Sequence, residues 1–222
     1  MRHWRPFPGS LCLLASHAGT GDSSAYAEEQ ALAAIAHPLR RRQSLAVREL
    51  ARIAMRELGA GPVGIGRRDD GSPEWPAGWV GSLAHDPQWS VALLASSSRY
   101  AALGVDVEPL LPLPEDAARL VIGRKERAHL EQLPDSYARW SRALFGAKEC
   151  VHKALNPLTG VFLEFDEVEI VFDVGDGSHA SAPSFRVIPV SAAASSAAQV
   201  CGRVWFTDAV VVTAAAVLAR RL

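Results

Sequence analysis

Two rhythms of apolar and polar positions run along this chain, and the switches between them mark out its elements. From Leu103 to Glu108 the apolar residues Leu103, Val105 and Val107 alternate with Gly104, Asp106 and Glu108, the period of a half-buried strand. Strands are predicted over Trp79–Ala95 and Tyr100–Glu108, broken at Ser96–Ser98, and an earlier one over Phe7–Ser16, closed by a Gly/Ser-rich turn at Gly19–Ser24. Helical spacing predicts helices over Tyr26–His37 and Leu39–Leu58, separated by Pro38 and closed by Gly59 and Gly61. Residues 60–78, rich in Gly, Pro and charge, are expected to form an ordered but irregular loop.

Pro109, Pro112 and Pro114 then mark a linker, and the boundary between two halves, 1–108 and 109–222, is expected there. The second half repeats the order of helices then strands. Helices are predicted over Glu115–Leu133 and Ser136–Leu155, a strand pair or hairpin over Val161–Val174, a loop over Gly175–Pro183, and later strands over Ser184–Val190 and Val200–Leu218.

Composition narrows the class without naming a reaction. The chain has 222 residues, 49% hydrophobic and 21% charged, enough for one large or two small cores. Its net charge of −1 speaks against a general nucleic-acid binder. Cys12, Cys150 and Cys201 are widely spaced and match neither a disulfide framework nor a zinc site, so a reducing cytoplasm is expected. The apolar runs Leu11–Ala15 and Ala209–Leu218 are too short for a signal-peptide core and a membrane span, respectively.

The candidate chemistry gathers in two segments. Asp106 and Glu108, two apart on a strand, project from one face about 6–7 Å apart at Cα, and carboxylates that close invite a cation between them. Hard oxygen ligands of this kind suit Mg²⁺. Phe145-Gly-Ala-Lys-Glu-Cys-Val-His-Lys-Ala154 reads as a helix on which Glu149 and Lys153 share a face, with Lys148 turned about 100° away. Each segment alone also fits an ordinary solvated strand end or a surface ion pair. Together they supply three carboxylates and two lysines suited to a divalent cation and a pyrophosphate.

These segments, G-x-D-x-E followed by F-x-x-K-E-x-x-x-K-A, resemble the paired signature of the 4′-phosphopantetheinyl transferases of the large surfactin/enterobactin-synthetase type. Trp75-Pro76 and Gly78-Trp-Val-Gly-Ser-Leu-Ala-His85 resemble the family's W-P-x-G-x-x-G-S-[IL]-[ST]-H block, with Ala84 where a hydroxyl residue is usual. Arg40 to Arg48, continuing to Arg52, resembles its basic helix, and Glu126 falls where an acidic residue is frequent between the two core motifs. The resemblance covers roughly residues 28–170.

It implies an α+β fold, a pseudo-dimer of two similar α+β halves with coenzyme A in the groove between them. The implied reaction moves phosphopantetheine from coenzyme A to a serine of an acyl or peptidyl carrier protein and releases 3′,5′-ADP. Asp106, Glu108 and Glu149 would bind Mg²⁺, with Glu149 the candidate base and Lys153 a donor to the phosphate. Lys148 would add a second cation, and His85, Arg40, Arg41 and Arg48 would anchor coenzyme A through its phosphates. A cytoplasmic monomer, with no nucleic-acid or membrane partner, is expected. A non-catalytic coenzyme A or carrier-protein binding module on the same scaffold is the alternative, and a Mg²⁺-dependent nucleotide pyrophosphohydrolase a third reading.

Overall fold

A computed structural model describes residues 1–16, 24–34, 37–61, 63–175 and 182–219. The Gly19–Ser24 turn, the end of the Tyr26–His37 helix and most of the Gly175–Pro183 loop therefore lie outside the described residues, wholly or in part. The chain divides into two compact units, residues 1–103 with 219–222, and residues 104–218. Asp106 and Glu108 thus belong to the same unit as Glu149 and Lys153.

In the first unit the strands β1 (Arg2–Trp4), β2 (Leu11–Ser16), β5 (Trp79–His85) and β6 (Trp89–Ser96) form an antiparallel sheet in the order β1-β2-β6-β5. The residues expected to be irregular hold a small two-stranded ribbon, β3 (Gly66–Arg67) and β4 (Pro73–Glu74). Helix α1 (Ala27–Ala34) is short, and α2 (Pro38–Glu57) starts with proline, whose missing N–H is an orphan in the first turn anyway. One face of α2, with Leu50, Ala51, Ala54 and Met55, buries against Leu11, Leu13, Ala92 and Leu94 of the sheet. Trp75 and Trp79 pack at the edge of this cluster.

The second unit is built around a five-stranded sheet in the order β7-β11-β10-β9-β8. Its strands are β7 (Tyr100–Pro109), which enters from the first unit, β8 (Val168–Asp173), β9 (Ser184–Pro189), β10 (Cys201–Phe206) and β11 (Val210–Leu218). The apolar run Val210–Val217 is buried at every position, because β11 has a strand on each side and the long helix α5 (Tyr137–Thr159) across it. Ser136 caps α5 by accepting a hydrogen bond from the Arg139 N–H, and the helix ends at Gly160.

The single strand expected over Trp79–Ala95 is the antiparallel pair β5 and β6, and two further predicted elements came out differently. The single helix expected over Glu115–Leu133 is two, α3 (Glu115–Val121) and α4 (Arg124–Leu130), because Ile122 and Gly123 adopt extended backbone. Glu126 Oε2 accepts a hydrogen bond from the Gly123 N–H at 2.9 Å, starting a new helix as the glutamate half of a capping box does. The strand pair expected over Val161–Val174 is irregular chain, one short 3₁₀ turn (Phe165–Glu167) and the single strand β8, which pairs with β9.

Candidate active site

Strand β7 and helix α5 meet along one face of each. Gly104, Asp106 and Glu108 are two apart on the strand and share a face. Gly104 lies under the helix so closely that a Cβ there would sit 1.9 Å from the Cys150 carbonyl oxygen. Asp106 lies over Gly146, where a Cβ would come 3.4 Å from Asp106 Oδ2 and 2.9 Å from Thr213 Oγ1. Glu108 meets Arg142 at 3.0 Å. The strand therefore climbs as the helix descends, and glycines on both elements permit the close approach. Cys150 also fixes the helix to the next strand of the sheet, its thiol 3.1 Å from both the carbonyl and the hydroxyl oxygen of Thr213 on β11.

This seam brings Asp106, Glu108, Glu149 and Lys153 together. Lys153 donates to Asp106 Oδ1 at 2.6 Å and to the Val105 carbonyl at 3.3 Å, a charge-assisted contact at the short end of its range. Burial pushes the Lys153 ammonium down, but Asp106, Cys150 and Glu149 together raise it and the net shift is upward, so the lysine holds its charge. The Glu149 carboxyl is raised by burial and then by Asp106, against the pull of Lys153. Glu108 is raised to about 7 by burial and by Asp106, although Arg142 and Lys153 oppose the shift. Three acids crowd two cations, and Asp106 raises both of its acidic neighbours.

The donor set of three carboxylates matches the chemistry of a hard divalent cation, which would relieve this crowding. As the side chains stand, no three His, Cys, Asp or Glu groups among the described residues converge on a single point. Asp106 is engaged with Lys153 and Glu108 with Arg142, so a metal cation would compete with these two charged side chains for oxygen atoms. Beside the seam lies a cavity of about 330 Å³, with Glu149 and Lys148 at its polar side and Val151, Phe162, Leu163 and Phe165 among its apolar walls.

Lys148 turns into the interior of its unit. It is 3% exposed, and its ammonium donates to the Val121 carbonyl at 2.8 Å, Glu126 Oε2 at 2.8 Å and the Phe165 carbonyl at 2.6 Å. Three N–H groups thus meet three oxygens. Arg142 is the site residue that sequence reasoning missed. Its signal was position alone, seven residues or two helical turns before Glu149 and so on the same side.

Within the first unit the basic helix splits into two populations. Arg40 and Arg42 are exposed and Arg41 half-buried on the first turns of α2. Arg48 is buried, donating to the Ile65 carbonyl at 2.8 Å, Ser44 Oγ at 2.6 Å and, at 3.5 Å, the Gly66 carbonyl. Burial lowers its pKa from the usual arginine range. Arg52 pairs with the fully buried Glu29, which also accepts the Ile65 N–H. Arg48 and Arg52 thus tie α2 to the chain around Ile65. His85 ends β5, half-buried opposite Ser90.

Two family models match the chain, that of the 4′-phosphopantetheinyl transferase N-terminal domain over residues 28–95 and that of the 4′-phosphopantetheinyl transferase superfamily over residues 102–202. The 4′-phosphopantetheinyl transferase Npt of Nocardia iowensis is 41% identical over 157 residues, 71% of this chain and 70% of that protein. Svp of Streptomyces mobaraensis, of the same description, is 42% identical over 159 residues, 69% of this chain and 63% of its own. PptT of Mycobacterium tuberculosis is 36% identical over 146 residues, 66% of this chain and 64% of its own. The matched residues include most of β7 and all of α5, with the whole carboxylate–lysine seam, and the chain belongs to the 4′-phosphopantetheinyl transferase superfamily.

Proposed function

We propose that this chain moves 4′-phosphopantetheine from coenzyme A to a serine of acyl or peptidyl carrier proteins. Transfer of phosphopantetheine to carrier proteins is the function its family and its named relatives carry. The observation that carries the assignment of residues is the seam itself, where Asp106, Glu149 and Lys153 are held together by the close approach of β7 and α5.

In this reading Asp106, Glu108 and Glu149 hold a divalent cation, Mg²⁺ by the hardness of the donors. When bound, it neutralises the pyrophosphate and stabilises the leaving group. Phosphoryl transfer asks the protein mainly for position and charge. Glu149 takes the proton of the serine hydroxyl as its oxygen bonds to the β-phosphorus. The bond from that phosphorus to 3′,5′-ADP breaks, and Lys153 donates to the phosphate oxygen that gains charge. Arg40, Arg41 and His85 bind the coenzyme A phosphates.

The two units, each a sheet with a long helix across it, support placing the chain among the two-halved enzymes of the surfactin/enterobactin-synthetase type. The carrier domains it serves are those of lipid or secondary-metabolite synthesis in the cytoplasm. Mass spectrometry of a panel of apo carrier proteins incubated with the chain, coenzyme A and Mg²⁺ tests the assignment. Each true partner gains one phosphopantetheine group, and Glu149→Gln abolishes the gain. No gain on any carrier refutes the activity, and full activity in Glu149→Gln refutes the assigned base.

A further inference from the structure

The buried pair Lys148–Glu126 does no chemistry in this mechanism, yet Lys148 immediately precedes Glu149. Glu126 is 2% exposed and spends both oxygens on the fold. Oε2 takes the Gly123 N–H and the Lys148 ammonium, and Oε1 takes the Ile170 N–H at 2.8 Å. Lys148 adds the Val121 and Phe165 carbonyls. One ion pair thus joins α5 to the end of α3, the start of α4, the 3₁₀ turn and β8.

On the other side of Glu149, Cys150 is fixed by Thr213 and by the contact with Gly104. Glu149 is a half-buried carboxylate whose two chain neighbours are anchored to different elements. We infer that Lys148 is a positioning residue that, paired with Glu126, holds Glu149 at the seam and does not itself contact the phosphate. This rests on the reading of Glu149 as a cation ligand and base. Swinging Lys148 toward a substrate would leave the Glu126 charge buried without its partner, which is costly in a low-dielectric interior.

Four proteins test the inference: wild type, Lys148→Met, Glu126→Gln and the double variant. Each is measured for melting temperature, Mg²⁺ affinity by calorimetry, and kcat and KM for coenzyme A. Each single variant strands one buried charge, and its melting temperature falls by about 10 °C. The double variant strands neither and regains most of that loss. All three variants bind Mg²⁺ about tenfold more weakly, as when a residue supporting a metal ligand is lost. All three lose up to about 100-fold in kcat, the scale of a displaced catalytic group, while KM for coenzyme A stays at the wild-type value.

A purely structural pair would leave Mg²⁺ affinity intact in the folded double variant, and that outcome overturns the inference. A rise in KM on loss of Lys148 but not of Glu126 overturns it as well, since that is the mark of a phosphate ligand. Should a single variant not fold, the double variant carries the same comparison. If wild type transfers nothing, the transferase reading fails. The calorimetric and thermal comparisons still decide the role of Lys148.

Discussion

Replacing Glu108 by glutamine should make the protein more stable at pH 8 and leave it nearly unchanged at pH 5. Burial and the neighbouring Asp106 raise the Glu108 carboxyl from the ordinary 4.5 to about 7. At 1.36 kcal/mol per pKa unit, the folded state disfavours the ionised form by about 3 kcal/mol relative to the unfolded chain. The sign follows from proton binding. The folded state holds this proton more tightly, so its stabilising contribution is complete below pH 4.5 and is lost as pH rises through about 7. Side-chain exposure at Glu108 is 19%, low enough that solvent does not screen the effect away.

Glutamine is neutral throughout and can still accept the Arg142 hydrogen bond. The guanidinium also keeps the Leu111 and Pro112 carbonyls at 3.0 and 2.9 Å. Urea unfolding of wild type and Glu108→Gln at pH 5 and pH 8, with chelator present, measures the difference. The expected result is a gain in the variant of up to about 3 kcal/mol at pH 8, shrinking toward zero at pH 5. An equal difference at both pH values would show that Glu108 ionises normally, and the reasoning from crowded carboxylates would fall.

Further predictions concern the seam and the basic helix. Gly104→Ala places a Cβ 1.9 Å from a backbone oxygen, which nothing flexible can relieve. A loss of more than about 3 kcal/mol in urea unfolding is expected, at the large end of single-residue effects, and near-wild-type stability would refute the close contact. Arg48→Ala strips hydrogen bonds from the Ile65 and Gly66 carbonyls and should cost about 1–3 kcal/mol of stability. Arg40→Ala, on an exposed turn, should leave the melting temperature unchanged and raise KM for coenzyme A in a transfer assay. A reversed pattern would exchange the roles of the two arginines.

Much of the local architecture was legible because it depends on short-range chemistry. The period-2 run at Leu103–Glu108 is a strand, and Asp106 and Glu108 share its face, as alternation requires. Glu149 and Lys153, four apart, lie on α5 as helical spacing demands. Gly123 followed three residues later by Glu126 carried a cap signature that splits the predicted helix at that point, although the uniform spacing around it read as one helix.

Residue type and spacing alone determined which side chains could gather in one site, because periodicity places them on common faces. What each charge does was decided by the tertiary structure. Lys148 and Lys153 are both lysines on one helix near acidic residues, and nothing local separates them. Lys153 faces β7 and Asp106, whereas Lys148 turns inward to Glu126 and two carbonyls. Arg40 and Arg48 diverge for the same reason, one exposed and the other buried among carbonyls that approach from distant chain. A charge takes its role from the groups that replace its water, and those groups are supplied by the packing of elements far apart in sequence.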